Sequence, residues 1–316
     1  MADYAIGVDL GGTNLRAAAI DGRGEMLEKT SITTDLSSGP EVVVVDIVEA
    51  IKKLKVNHAS DTLVGVGIGV PGFIDMKRGF IIGSNNLPGF DQFPVRDEIE
   101  KHLGTPVVLE NDANAAAFGE KWIGAGRNVD DLILLTLGTG IGGGIISEGR
   151  IVHGFVGMAG ELGHITVFPD GNPCGCGNYG CLEKHASATA VVSMARLLSL
   201  GDHLSSEDVY KLAVNGNERA KMIFNTVGTA LGIAIGSLMN IFNFPLYLLS
   251  GGLLAGWDQF APAMMAQIEK RSFTYRNTKA PSAGRTAVTR LEKATLGNLA
   301  GLFGAAYLPL KARSIR

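Results

Sequence analysis

His164, Cys174, Cys176 and Cys181 fall within eighteen residues and use every cysteine in the chain. One imidazole and three thiols make a full tetrahedral zinc set of the Cys₃His kind, with no position left open for chemistry. Pro173 and glycines 171, 175, 177 and 180 permit the tight turns that three converging thiols require. Glu161 and Glu183 bracket the cluster. The pattern therefore predicts a single structural Zn²⁺ as scaffold, with the two acids held in place for chemistry. The alternative is three unconnected buried thiols, a common state for free cysteine.

Two further groups of residues could do chemistry. Asp9 precedes the turn Gly11-Gly12-Thr13-Asn14, and a second turn, Gly138-Thr139-Gly140 running on to Gly142, follows a similar apolar run. Bare glycine amides can cradle phosphate oxygens while a carboxylate such as Asp9 orders a hydrated Mg²⁺. A third glycine pair, Gly251-Gly252, closes another apolar run. The GxxxxGK[ST] phosphate loop is absent, and no GxGxxG after a βα turn is followed by the ribose-binding acid of a dinucleotide site. Between the two turns lies Glu110-Asn111-Asp112 at the start of an Ala-rich stretch. Asp112 there is either a helix N-cap or a general base that takes a proton from an attacking hydroxyl. Both roles fit the pair together, with Asn111 capping and Asp112 acting.

These groups need strands that end where the glycines begin. Residues 4–9 and 15–20 read as a hairpin around the first turn, and 132–146 as a second hairpin around the other. That repeated unit suggests an internal duplication. Strands are also expected at 64–70, 107–110 and 246–250. Helices are expected at 41–55, 113–122, 184–200, 205–214, 216–241, 257–271 and 294–310. Alternating strands and helices imply an α/β fold. The expected division is a smaller domain of residues 1–118 plus a terminal helix at about 297–316, and a larger one of 119–296 holding the zinc loop 161–183.

With 316 residues, the chain can bury a large core in two domains. Its net charge of −3 provides no basic footprint for nucleic acid. The most apolar run, Leu231 to Leu249, carries Asn240, Asn243 and Pro245, so it reads as a buried helix, a turn and a strand rather than a membrane span. No charged-then-apolar leader opens the chain, and thiols grouped for a metal suit a reducing cytoplasm. There are 43 glycines, about twice the usual share. They gather at 7–12, 65–72, 138–144 and 251–252, which suggests backbone brought close to a ligand.

Taken in order, Asp9-Leu10-Gly11-Gly12-Thr13-Asn14, Glu110-Asn111-Asp112, the glycine run 138–144 and Glu161-Leu162-Gly163-His164 leading into the cysteines resemble the ROK family of repressors and sugar kinases. The resemblance is greatest to its bacterial glucokinases and covers essentially the whole chain. It implies a two-domain fold of the actin and hexokinase (ribonuclease-H-like) kind, with an active site in an interdomain cleft. It implies ATP-dependent phosphorylation of glucose at the 6-hydroxyl, with Asp112 as base. Gly72, Asn85 and Asn111 would bind the sugar, while Glu161, His164 and Glu183 surround its anomeric end. Asp9, Gly12, Thr13, Gly138 and Thr139 would hold the ATP phosphates and Mg²⁺, and the subunits would pair as a homodimer. A kinase for mannose, fructose, allose or N-acetylmannosamine is the main alternative. A sugar-responsive regulator is the more distant one, because only three residues precede the first strand and leave no room for a DNA-binding helix-turn-helix.

Overall fold

The computed structural model describes residues 3–11, 14–84 and 87–314. Gly12, Thr13 and Asn85 lie outside the described residues. In chain order the elements are β1 (Asp3–Leu10), β2 (Asn14–Asp21), β3 (Met26–Thr33), α1 (Pro40–Asn57), β4 (Thr62–Val70), β5 (Phe73–Asp75) and β6 (Phe80–Gly83). Next come α2 (Val95–Leu103), β7 (Val107–Asn111), α3 (Asp112–Trp122), β8 (Leu132–Leu137), β9 (Ile141–Ser147) and β10 (Arg150–Ile151). The remainder is α4 (Glu183–Ala186), α5 (Ala188–Leu197), α6 (Ser206–Val214), α7 (Glu218–Phe242), β11 (Leu246–Ser250), α8 (Trp257–Arg271), α9 (Phe273–Thr278), β12 (Arg290–Lys293) and α10 (Ala300–Ser314).

Two five-stranded sheets carry the chain, in the orders β3-β2-β1-β4-β7 and β10-β9-β8-β11-β12. In the first, β1, β2 and β3 pair antiparallel, while β4 joins β1 and β7 joins β4 in parallel. In the second, β10 pairs antiparallel with β9, and β11 joins β8 and β12 in parallel. The repeat seen in the two glycine turns thus extends to the order of whole sheets.

The chain forms two compact units. One comprises residues 1–130, 144–160 and 295–316, and the other 131–143 and 161–294. The break expected near residue 118 falls inside α3, an unbroken helix, and the division also passes through β9 between Gly143 and Gly144.

In the first unit α10 lies against β1 and β4 at backbone contact. A Cβ added to Gly7 would sit 2.1 Å from the Leu302 carbonyl oxygen, and one on Gly67 would sit 1.8 Å from that of Ala305. On its other side α10 meets α3 as closely, since a Cβ on Gly304 would come 1.6 Å from the Ala115 carbonyl oxygen. These glycines therefore serve helix seating, and the expectation that the 65–72 cluster brings backbone to a ligand is corrected for Gly65 and Gly67. The fully buried Glu120 near the end of α3 secures the approach to α10. Its carboxylate accepts the Thr295 and Leu296 N–H groups at 2.9 and 2.7 Å and that of Ala125 at 2.8 Å.

In the second unit α7 is long and apolar enough, by length and composition, to cross a membrane, but 67% of that apolar window is buried in the fold. Its Gly228 and Gly232 abut the α8 backbone, where added Cβ atoms would lie 2.2 and 2.4 Å from the carbonyl oxygens of Phe260 and Met264. The helix stops at Asn243 in the left-handed conformation (φ 51°), and β11 follows, as expected. The helix expected at 184–200 is broken at Ser187, whose extended backbone and side chain cap α5 instead. The terminal helix begins at Ala300 and runs to Ser314, later than the expected 294–310.

Gly67→Ala should lower unfolding stability by about 1–3 kcal/mol or more, the cost of forcing a methyl group into packed backbone. Gly22→Ala, where an added Cβ meets nothing within 4 Å, should stay within about 0.5 kcal/mol of the parent. Urea denaturation of both variants checks the contrast.

Candidate active site

Parallel pairing sets the first group of residues. In register, Asp9 of β1 lies beside Gly69 of β4, which lies beside Glu110 of β7, with Val70 next to Asn111. All sit at the carboxyl ends of neighbouring parallel strands, where ligands bind in open α/β sheets. Asp9 is buried and bonded to Arg16, its partner across the β1–β2 hairpin. Burial raises its carboxyl above the ordinary range, against the pull of the Arg16 guanidinium. Arg16 also donates to the Asn298 carbonyl at 2.9 Å. Part of the charge expected to order Mg²⁺ is thus already matched inside the protein. Gly11 closes the hairpin turn by donating to the Asn14 carbonyl at 3.0 Å.

The β7–α3 junction gives the capping role to Asn111. The N-cap is Asn111, whose side-chain oxygen accepts the Ala113 and Asn114 N–H groups at 2.9 and 3.1 Å. Its amide also donates to the Gly72 carbonyl at 3.3 Å, and Gly72 holds φ 123°, a conformation open chiefly to glycine. Asp112 is then the first helical residue, half-buried, with Oδ1 on the Ala113 N–H at 2.9 Å. A helix N-terminus favours the ionised carboxylate there. Behind them Glu110 is buried, and both of its oxygens are engaged. Oε1 accepts from the Asn111 N–H and the Asn114 amide at 3.0 Å each, while Oε2 meets His153 Nε2 at 2.8 Å. That bond holds the His153 imidazole above its usual range in spite of burial.

In the second unit the β8–β9 turn and the Gly251-Gly252 loop leave adjacent parallel strands, with Thr136 beside Ser250. Gly251 (φ 102°) passes so close to β8 that a Cβ would lie 2.3 Å from the Leu137 carbonyl oxygen. The turn is tied from outside. The Gly138 carbonyl accepts the Ala188 N–H at 2.9 Å, and the Thr139 carbonyl accepts the Thr189 hydroxyl at 2.7 Å. Gly142 donates to the Thr136 hydroxyl at 3.2 Å. Glu183 Oε2 accepts the Ile141 N–H at 3.0 Å, and an added Cβ on Gly140 would lie 2.3 Å from that oxygen. Glu183 therefore braces the turn. A cavity of about 330 Å³ opens beside Thr139, lined also by Thr189, Val192, Arg196 and Ser205.

His164, Cys174, Cys176 and Cys181 do converge, with all four ligand atoms within 4.8 Å of one another. Short bridges Pro173–Tyr179 and Thr166–Cys181 fold the loop back on itself, and the Cys174 N–H donates to the Asn178 carbonyl at 2.8 Å. A tetrahedral zinc with ordinary bond lengths sets sulfur–sulfur separations of about 3.8 Å and sulfur–nitrogen separations of about 3.5 Å. Here Cys176 and Cys181 sulfurs are 3.7 Å apart, and Cys174 Sγ is 3.5 Å from His164 Nδ1. The residues fit the ion. Burial pushes the Cys181 thiol up to about 12, so a cation is what would hold it as thiolate. His164 turns its other nitrogen to Glu161, with Nε2 3.9 Å from Oε2. Loss of water raises the Glu161 carboxyl; His164 opposes the rise and Glu183 adds to it.

The family of the chain can be read from known proteins. The model of the ROK family matches residues 5–312. This chain belongs to the ROK family. It is 38% identical to a glucokinase of Halalkalibacterium halodurans over 96% of this chain and 94% of that protein. Its fold matches the crystal structure of a ROK hexokinase from Thermus thermophilus with TM-score 0.84, at 33% identity, covering 98% of this chain and 99% of the other. It matches a ROK family glucokinase from Streptomyces griseus, solved with glucose and AMPPNP, with TM-score 0.77 at 33% identity over 96% and 98% of the two chains. The α/β fold is therefore the two-domain actin- and hexokinase-like class expected.

Arg16 and His153 were not singled out from the sequence. Arg16 was within reach, because a tight hairpin places it opposite Asp9. His153 lies 43 positions from Glu110, and no local pattern marks the pair.

His185, buried beside the Phe168 ring (centroids 4.7 Å apart), has no hydrogen-bond partner at Nε2 among the described residues. Burial lowers its pKa. A histidine kept neutral in the fold contributes stability that is complete above its unfolded pKa of about 6.5 and is lost as pH falls below it. Urea titrations at pH 7.5 and 5.5 should therefore show a larger acid loss for the parent than for His185→Gln. The rest of the chain is identical in the two proteins, so its own response to acid cancels in the comparison.

Proposed function

We propose that this chain transfers the terminal phosphoryl group of ATP to the 6-hydroxyl of glucose. The geometry that carries the reading is the β7–α3 junction. There Asn111 takes the capping duty and leaves a half-buried carboxylate, Asp112, at the positive end of a helix. Likeness to a glucokinase over nearly the full chain supports the choice of sugar. Asp112 takes the proton as the hydroxyl oxygen attacks phosphorus. Phosphoryl transfer asks the protein mainly for alignment and for neutralisation of spreading negative charge.

In this reading Asn111, Gly72 and Asn85 hold the sugar hydroxyls, and Glu161, His164 and Glu183 hold the anomeric end. Asp9, Gly11, Gly12, Thr13 and Asn14 serve the phosphates from the first unit. Gly138, Thr139, Gly140, Gly142, Gly251 and Gly252 serve them from the second. Mg²⁺ arrives with ATP, as part of the substrate. Zinc, held by His164 Nδ1 and the three thiolates, would supply only rigidity, since four protein ligands fill its coordination. We also read the protein as a cytoplasmic homodimer, a setting in which thiolates stay reduced.

Purified protein should phosphorylate glucose with ATP at higher kcat/KM than mannose, fructose, allose or N-acetylmannosamine. Asp112→Asn should lower kcat by at least ~10²-fold with an unchanged circular dichroism spectrum. Near-parent turnover in that variant would reduce Asp112 to a structural residue. Elemental analysis should find one zinc per chain, and Cys174→Ser should lose both metal and folded, active protein; a fully active metal-free preparation would remove zinc from the account.

A further inference from the structure

We propose that His153 is a positioning residue for phosphoryl transfer: paired with the buried carboxylate of Glu110, it fixes the turn that carries Asn111 and Asp112. The proposal rests on the reading of Asp112 as base.

The reasoning starts at Glu110, which is only 1% exposed. Two of its partners, the Asn111 N–H and the Asn114 amide, are neutral. A buried carboxylate with neutral donors alone is costly, and a nearby cation offsets that cost. His153 supplies it at 2.8 Å through Nε2. The carboxylate is itself part of the turn's construction. Oε1 holds the backbone N–H of Asn111, whose side chain caps α3 and anchors to Gly72. Any shift of Glu110 therefore rotates the peptide that leads into Asp112.

His153 is held firmly enough to act this way. The preceding residue, Val152, donates to the Ile145 carbonyl at 2.9 Å, and the His153 carbonyl accepts the Ala159 N–H at 3.1 Å. The second bond closes a short loop in which Gly154, Gly157 and Gly160 take positive φ. A Cβ on Gly157 would lie 2.7 Å from the Ile74 carbonyl oxygen, so the loop is seated as well as closed. It ends at Gly160, immediately before Glu161.

The test compares four proteins with glucose and ATP: parent, His153→Ala, Glu110→Gln, and the double variant. Removing the cation leaves a buried unmatched charge, so His153→Ala should lower kcat/KM for glucose on the order of 10²-fold, as small misplacements of a reacting group do. KM for ATP should stay within about twofold, because the phosphate turns are untouched. Glu110→Gln keeps the acceptor oxygen without the charge and should remain within about tenfold of the parent. Placed in the His153→Ala protein, it should recover most of the lost activity, because neither charge then remains. A His153→Ala protein within about twofold of the parent, or a loss undiminished in the Glu110→Gln background, would overturn the proposal. Should His153→Ala fail to fold, the double variant decides: folded and active supports the pairing, unfolded or inactive sinks it. Asp112→Asn run alongside separates the two ideas. Turnover retained there removes the base, whereas an inactive Asp112→Asn with additive losses at 110 and 153 removes the pairing alone.

Discussion

Hydrogen-bonded parallel pairing of β1, β4 and β7 is the constraint on which the first unit depends. It fixes Asp9, Gly69 and Glu110 in one row and places everything that follows them, the Gly72 turn and the Asn111–Asp112 junction, beyond the same sheet edge. The second unit repeats the device with β8 and β11, whose ends release the Gly138 turn and the Gly251-Gly252 loop side by side. Two sheets of one strand order therefore present different chemistry. The first presents carboxylates and an asparagine, the second glycine backbone backed by a cysteine-rich loop.

What holds each strand end in place differs as well. Around Asp112 the support is polar and buried, running through Glu110 to Asn111, Asn114 and His153. Around Gly138 it comes from outside the sheet, from α5 through Ala188 and Thr189 and from α4 through Glu183. Glu183 lies two residues beyond Cys181, so the same short segment serves the thiol cluster and the glycine turn. A metal at the cluster would thereby stiffen a turn made of residues that cannot stiffen themselves.

Much of this was legible in the sequence, and the exceptions have physical reasons. Strands β1, β4, β8 and β11 are apolar runs buried on both faces, and such runs announce themselves. Edge strands do not. β3 reads Met-Leu-Glu-Lys-Thr-Ser-Ile-Thr and β12 Arg-Leu-Glu-Lys, polar because one side faces water, and neither was foreseen. The short charged α2 was missed for a similar reason. The thiol cluster was readable because its members are close in sequence. The pairings of Asp9 with Arg16 and Glu110 with His153 depend on how the chain folds back, which no local spacing records. Glycine was legible in number but misread in purpose: at Gly7 and Gly67 the approaching backbone belongs to α10, and at Gly65 the nearest atom is the Cβ of Pro309 in the same helix.

That misreading has an evolutionary side. Any substitution that replaces glycine adds a Cβ, and at Gly7, Gly67, Gly119 and Gly304 such an atom would fall within about 2 Å of a carbonyl oxygen. These sites are closed to neutral drift, however mild the replacement. Substitutions that keep this fold are therefore accommodated in loops and strand ends rather than in the seam beneath them.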